Sequence, residues 1–146
     1  MNLIVGATGL LGNQICTLLA DRGKPIRALT RPTSNPDKVT HLRDIGAEIV
    51  QGDLKDPRSL AAACRGVDAV ISTASSTMSR QEGDSIESVD RQGQLNLIEA
   101  AEAAGVKHFV LISFPNAGMD FPLQSAKRAV EDAYAALEEH LERTGV

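Results

Sequence analysis

The sequence of 146 residues is poor in aromatic side chains, which make up 3% of it, and it has no tryptophan. Hydrophobic residues nevertheless reach 42%, which is ample for a core. A core of this kind is aliphatic and rich in alanine, and it suits helices packed closely on a sheet. A chain of this length fits one domain that buries roughly 68–70% of its unfolded surface. We therefore expect a single domain over residues 1–146.

The sequence also lacks an excess of positive charge and a long apolar run. Its net charge is −4 and its isoelectric point is about 5.3, which argues against general affinity for nucleic acid or anionic membranes. No apolar run approaches the length of a membrane span, and the N-terminal residues resemble a strand rather than a signal peptide. We predict a cytoplasmic protein without nucleic-acid or membrane partners.

Cysteine is scarce as well, with Cys16 and Cys64 the two in the chain. Both lie in helix-like patterns and neither has metal-ligand spacing. They are predicted to be buried thiols rather than a disulfide or a nucleophile, and no metal site is predicted.

Three glycines near the N-terminus are the most informative feature of the sequence. An apolar run at residues 3–5 predicts a buried strand, the glycines follow at intervals of three, and a helix-like pattern begins at once. Glycines at such a turn permit a sharp bend, a close approach of pyrophosphate to the backbone and tight helix packing, while the helix N-terminus attracts the phosphates. The spacing is not the commoner G-x-G-x-x-G, and a purely structural turn is the alternative. The predicted cofactor contacts here are Gly6, Thr8, Gly9, Leu10, Leu11 and Gly12.

Arg31 follows the second predicted strand, residues 26–30. The adenosine ribose of a dinucleotide lies about 20 residues past the glycines, where an acidic residue would bind a 2′-hydroxyl and repel a 2′-phosphate. The sequence places an arginine there and no carboxylate before Asp37. Because arginine can bind phosphate bidentately, we predict NADP(H) as the cofactor. The alternative is a solvated arginine at a loop edge.

The stretch Gly6-Ala7-Thr8-Gly9-Leu10-Leu11-Gly12 resembles the signature of the atypical short-chain dehydrogenase/reductases. The likeness is closest to the branch of NmrA-like and isoflavone-reductase-like proteins, and it covers essentially the whole chain. Members of these families are considerably longer. The resemblance therefore implies the N-terminal, NADP(H)-binding part of such a protein, without the C-terminal part that builds the substrate pocket.

Five predicted strands alternate with helices along the chain, at residues 3–5, 26–30, 47–50, 67–72 and 107–112. Alternation of this kind predicts an α/β Rossmann-type fold, a doubly wound parallel sheet in the order 3-2-1-4-5 between two helical layers. One long helix is predicted over residues 84–104 and a final one over 123–143. The fifth strand would be an exposed edge, so we predict a homodimer through that edge or through the C-terminal helix.

Two further groups of cofactor contacts are predicted at strand ends. In the resembled families an Asp-Leu pair such as Asp53 and Leu54 sits beside the adenine; a role of Asp53 in a turn is the alternative. Thr73, Ala74 and Ser75 follow the fourth strand, near the point where the strand order reverses, and are placed to line a cofactor cleft. A serine-rich loop without a role is the alternative for them.

The catalytic residues of standard short-chain reductases are matched only in part. Ser113 follows the fifth strand, as the family serine does, and Lys127 lies on the final helix. Leu123 stands where Tyr-x-x-x-Lys would have its tyrosine, and Tyr134 has no lysine four residues later. Lys127 has three interpretations: a cofactor contact, a catalytic lysine, or a solvated lysine paired with Glu131. Residues 114–118 lie where a substrate-side loop is expected.

Three functions remain open at this point. The first is an NADP(H)-binding module without efficient turnover. The second is an NADPH-dependent reductase of quinone or enone substrates that uses Ser113 and Lys127. The third is a non-catalytic regulatory protein that senses the NADP redox state and signals through its acidic C-terminal helix. The sequence by itself does not demonstrate an enzyme.

Overall fold

A computed structural model describes residues 1–79, 81–113 and 122–144, with side chains through residue 139. The strands are β1 (Asn2–Val5), β2 (Ile26–Thr30), β3 (Glu48–Gln51), β4 (Ala69–Ser72) and β5 (His108–Leu111). The helices are α1 (Leu10–Asp21), α2 (Pro36–Asp44), α3 (Pro57–Ala63), α4 (Gln92–Ala103) and α5 (Pro122–Thr144). A π-helical segment, Ile86–Arg91, leads into α4.

The sheet has the order β3-β2-β1-β4-β5, and every neighbouring pair is parallel. Asn2 of β1 is in register with Ile26 of β2 on one side and with Ala69 of β4 on the other. The predicted order is therefore confirmed. The strand order reverses between β1 and β4, and the loops that leave their carboxyl ends enclose a crevice there.

Apolar side chains pack on both faces of the sheet, because residues alternate in direction along each strand. Leu3 and Val5 of β1 belong to a cluster that includes residues of α3, α4 and α5. Ile4 belongs to a second cluster with residues of α1 and α2. This arrangement confirms the three predicted layers.

Each apolar cluster contains one cysteine, Cys16 in one and Cys64 in the other. Both thiols are free and buried, as predicted. Burial raises the pKa of each to about 11. The neutral thiol is therefore the form present near neutral pH, which does not suit a nucleophile.

The long helix predicted over residues 84–104 is present, but its first part is π-helical rather than α-helical. Residues 86–91 form the π-helical segment, with Ser85 as its cap, before α4 begins at Gln92. Within the segment, the consecutive residues Val89 and Asp90 are both buried. The wider turn thus places a carboxylate as well as an apolar side chain in the interior, and such turns occur often at functional sites.

The β5 edge of the sheet carries partly exposed apolar side chains. Val110 is 46% and Ile112 40% exposed, and β5 has β4 as its neighbour in the sheet. Over the described part of the chain, no helix combines the length and apolar character needed to cross a membrane.

Candidate functional site

A cavity of about 390 Å³ opens at the carboxyl ends of β1 to β4. Its volume lies within the usual range of ligand pockets, about 300–1,000 Å³. It is lined by ten of the predicted cofactor contacts, namely Gly6, Thr8, Gly9, Leu10, Arg31, Asp53, Leu54, Thr73, Ala74 and Ser75. The other four predicted site residues, Leu11, Gly12, Ser113 and Lys127, do not line it.

Gly6 and Gly12 each occupy a place that excludes a side chain. Gly6 has φ +83°, and a Cβ there would lie 2.6 Å from the hydroxyl oxygen of Thr73. A Cβ on Gly12 would lie 2.1 Å from the carbonyl oxygen of Gly6. Gly12 therefore lets α1 pack directly on the turn, which accounts for its position behind the cavity wall rather than in it.

The N-terminus of α1 presents backbone donors beside the cavity. Gly9 is its N-cap, no side chain caps it, and its first turn contains no acidic residue. Gly9 and Leu10 line the cavity, and Leu10 is 83% exposed. Uncapped N–H groups at the positive end of a helix dipole form an anion site, which fits a pyrophosphate.

Thr73 and its neighbours fix the opposite wall. The Thr73 hydroxyl donates to the Val5 carbonyl over 3.2 Å, which joins the ends of β4 and β1. The buried Gln94 donates to the Ala74 carbonyl over 3.0 Å and accepts from the Ser72 hydroxyl over 2.8 Å. In the sequence, Gln94 stands out only as a polar residue in a helical pattern. Its role in holding this loop depends on the tertiary contact.

Arg31 lies at the cavity, as predicted, but it is not a solvated edge residue. Its Nη1 is 2.7 Å from the Oδ2 of Asp84, and the Nζ of Lys55 is 2.5 Å from the Oδ1 of the same carboxylate. The Ser79 hydroxyl also donates to Asp84. Burial alone would raise the pKa of the Asp84 carboxyl, but the hydrogen bonds from Lys55, Ser79 and Arg31 hold it well below its usual range.

Asp53 and Leu54 line the cavity from the loop after β3. The Oδ1 of Asp53 accepts from the Lys55 backbone N–H over 2.8 Å, so the turn role of Asp53 is present. The Leu54 carbonyl accepts from the side chain of Asn96 over 3.0 Å, which ties this loop to α4. The contact of Asp53 with adenine stays a prediction.

Lys38 is a cation near the cavity that the sequence analysis did not identify. Its Nζ donates to the Thr8 carbonyl over 2.9 Å, which brings the first turn of α2 to the glycine-rich turn. The one feature of the sequence that could have pointed to Lys38 is its position in the helix that follows Arg31. Spacing alone does not show that this helix turns back toward residue 8.

Lys127 is buried rather than solvated, so its interpretation as a surface lysine is wrong. Its side chain is 8% exposed, and its Nζ is 3.8 Å from the Oδ1 of Asp90 and 3.4 Å from the Ile112 carbonyl oxygen. Its predicted partner Glu131 instead accepts from the Ser113 hydroxyl over 2.5 Å. The reason is that α5 packs against the π-helical segment, which turns Lys127 toward the interior.

Asp90 connects Lys127 with the cavity loop. Its Oδ2 accepts from the Ser76 N–H over 2.9 Å and from the Ser76 hydroxyl. Its Oδ1 is buried and has no hydrogen-bond partner among the described residues. The predicted substrate-side loop, residues 114–118, lies outside the described residues. Within the described ranges, no group of three or more His, Cys, Asp or Glu side chains is arranged to hold a metal ion.

Comparison with known proteins identifies a family and relatives that this chain is similar to. A family model described as NAD(P)H-binding matches residues 6–146. The photosystem II assembly factor Ycf39 of Trieres chinensis is 39% identical over 131 residues, which is 88% of this chain and 40% of that protein.

Two solved reductase structures share the fold. The triphenylmethane reductase of Citrobacter sp., complexed with NADP(H), is 27% identical with a TM-score of 0.73, over 94% of this chain and 46% of that one. A structure from work on pinoresinol-lariciresinol and phenylcoumaran benzylic ether reductases is 31% identical with a TM-score of 0.74, over 93% and 46%. The chain thus spans less than half the length of these proteins.

Proposed function

The chain belongs to the NAD(P)H-binding family within the atypical short-chain dehydrogenase/reductases, alongside NmrA-like and isoflavone-reductase-like proteins, and on that premise we propose that it binds NADP(H) in the cavity between β1 and β4. The observation that carries the proposal is one cleft holding both an uncapped helix N-terminus and Arg31. These are two separate sites for anions, as a dinucleotide with an additional phosphate requires.

The predicted cofactor contacts, most of which line the cleft, divide along it by their chemistry. We assign the pyrophosphate to the turn from Gly6 to Gly12, with Thr8, Leu10 and Leu11 beside it. The adenosine end falls to Arg31, Asp53 and Leu54, and Lys38 adds a cation near the turn. The nicotinamide end falls to Thr73, Ala74 and Ser75. The bound cofactor would supply a hydride donor or acceptor, and these residues hold and orient it.

A nucleotide titration with Arg31→Ala tests this assignment. We expect NADPH to bind more tightly than NADH, and Arg31→Ala to weaken NADPH by about ten-fold or more, because hydrogen bonds to charged groups contribute about 1.5–3 kcal/mol. NADH binding should change little. The measurement is the change in nicotinamide fluorescence on titration, with Arg58→Ala on the exposed face of α3 as the matched control.

Two results would contradict the assignment. If folded protein binds neither nucleotide at millimolar concentration, the glycine-rich turn is only structural. If Arg31→Ala weakens NADPH and NADH equally, the arginine does not read the 2′-phosphate.

Binding without efficient turnover is part of the proposal. Ser113 and Lys127 do not line the described cavity, and they contact Glu131 and Asp90 instead. Leu123 stands in place of the usual tyrosine acid. These observations favour the hypothesis of a binding module over the reductase hypothesis. In this proposal residues 1–146 form one NADP(H)-binding domain. A cytoplasmic location and a homodimer through the β5 edge or α5 stay predictions.

A further inference from the structure

We propose that Arg31 and Lys55 form a two-cation subsite for the 2′-phosphate of NADP(H), and that Asp84 is its internal competitor. The Asp84 carboxylate holds both cations in the cofactor-free protein, and the phosphate takes its place when NADP(H) binds. This inference rests on the proposed function and adds to it a second phosphate ligand, Lys55, and a residue that sets the affinity for the phosphate.

The geometry is that of an anion held between two cations from different loops. Arg31 follows β2 and Lys55 follows β3, yet both reach one carboxylate, at 2.7 Å and 2.5 Å, on different oxygens. The side chain of Asp84 is only 2% exposed, while each cation is about 30% exposed. Arg31 and Asp84 both line the cavity. The convergence of the two donors therefore defines a small anion site at the adenosine end of the cleft.

A phosphate monoester is the better occupant of that site. It carries about −1.5 to −2 charges near neutral pH and three acceptor oxygens, whereas the carboxylate has one charge and two oxygens. Asp53 also faces Lys55, at 3.8 Å, but its carboxylate is held by the Lys55 backbone N–H. The 2′-hydroxyl of NAD(H) carries no charge and leaves the Asp84 contacts intact. Asp84 therefore lowers the affinity for nucleotides that carry a 2′-phosphate and not for those with a free 2′-hydroxyl.

The exchange also affects the loop that carries Asp84. In that loop the Ser79 hydroxyl donates to Asp84, and Gln81 accepts from the Thr33 hydroxyl over 2.7 Å. These contacts hold the loop against the residues that follow β2. Once the phosphate occupies the two cations, the Asp84 contact that anchors this loop is released.

The test compares two small nucleotides that differ by the phosphate in question. Binding of adenosine 2′,5′-bisphosphate and of adenosine 5′-monophosphate is measured by calorimetry for wild type, Asp84→Asn, Lys55→Gln and Glu82→Gln. We expect Asp84→Asn to tighten the bisphosphate about ten-fold and Lys55→Gln to weaken it about ten-fold. The affinity for the monophosphate should change little in both variants. Glu82→Gln, which removes the same charge from the same loop, is the control and should change neither.

The outcomes separate this inference from the proposed function. If wild type binds neither nucleotide, both fail. If wild type binds the bisphosphate more tightly than the monophosphate, but Asp84→Asn and Lys55→Gln leave that preference unchanged, only this inference is overturned. It is also overturned if Asp84→Asn tightens both nucleotides equally, since that would be a general effect of charge. Thermal unfolding of each variant checks that it is folded. Should Asp84→Asn prove to be unfolded, the result for Lys55→Gln alone decides the test.

Discussion

Gly12 shows how one missing methyl group positions the turn that begins the site. Gly12→Ala would gain helix propensity worth about 1 kcal/mol. Its Cβ, however, would lie 2.1 Å from the Gly6 carbonyl oxygen, which is backbone and cannot rotate away. Overpacking of this kind costs about 1–3 kcal/mol, so we expect a net loss of stability. Because Gly6 lines the cavity, NADPH affinity should also fall. Urea unfolding and a fluorescence titration measure the two effects.

Gln14→Ala is the matched control for Gly12→Ala, because it places alanine at an exposed position of the same helix. It should keep NADPH affinity and leave stability unchanged or slightly higher. A Gly12→Ala protein as stable as wild type, with the same affinity, would show that α1 can shift away from the turn at no cost.

Single residues of the site were predictable to the extent that local spacing determines them. Arg31 was found because the distance from the glycines to the ribose is set by one strand–helix–strand unit. Asp84, its partner, is 53 residues away in sequence. The contact forms only because the loop after β4 folds over the ends of β2 and β3, and no periodicity in the sequence encodes that. Lys38 escaped prediction for the same reason.

At the scale of elements, the Asp90–Lys127 pair joins the π-helical segment to α5. Both side chains are at least nine-tenths buried, at 0% and 8% exposure, so removing either leaves a buried charge without its partner. We expect Asp90→Asn and Lys127→Met each to cost about 3–5 kcal/mol. The double variant should lose clearly less free energy of unfolding than the sum of the two single losses, with a coupling energy of about 0.5–3 kcal/mol. Urea unfolding of the four proteins gives the coupling.

A second pair on the same segment provides the control for this cycle. Glu87 and Arg91 are 2.8 Å apart, closer than Asp90 and Lys127, but they are 69% and 44% exposed. The cycle of Glu87→Gln and Arg91→Met should show a coupling below about 1 kcal/mol, because water screens the pair. Strictly additive costs for Asp90 and Lys127 would mean that the two groups do not interact.

Most strands and helices were predictable because each carries its own pattern. The strand at 26–30 and the strand order are confirmed as predicted. The π-helical segment was not predictable, because the sequence pattern of residues 84–104 is that of one continuous helix. In the structure Asp90 is buried in this segment, and its Oδ2 accepts from the Ser76 N–H of the cavity loop. The sequence pattern shows that residue 90 is polar, but it does not show that Ser76 is its hydrogen-bond partner.

For the whole molecule, the expectation is cofactor binding without sustained oxidation. Neither predicted catalytic residue lines the described cavity, since Ser113 contacts Glu131 and Lys127 contacts Asp90. NADPH should therefore bind, but its nicotinamide absorbance should not decline steadily when a quinone is added. Ser113→Ala is the comparison variant, because Ser113 is exposed and its loss should leave the fold intact.

Steady NADPH consumption that scales with protein concentration and is lost in Ser113→Ala would reverse this conclusion. The reductase hypothesis would then take precedence, with residues 114–118 as its predicted substrate-side loop. Consumption that persists unchanged in Ser113→Ala would point to chemistry elsewhere in the cleft.

The order of the lining residues along the chain has a practical consequence for protein engineering. Every described residue of the cavity precedes α4, whereas β5 and α5 contribute Phe109, Val130 and Leu137 to the core behind it. A backbone break in the short turn between α4 and β5 would separate a ligand-contacting fragment from a supporting one. Because the first fragment would lack part of its core, cofactor affinity would depend on reassembly. Two such fragments, fused to two proteins of interest, would turn their association into a nucleotide-binding signal.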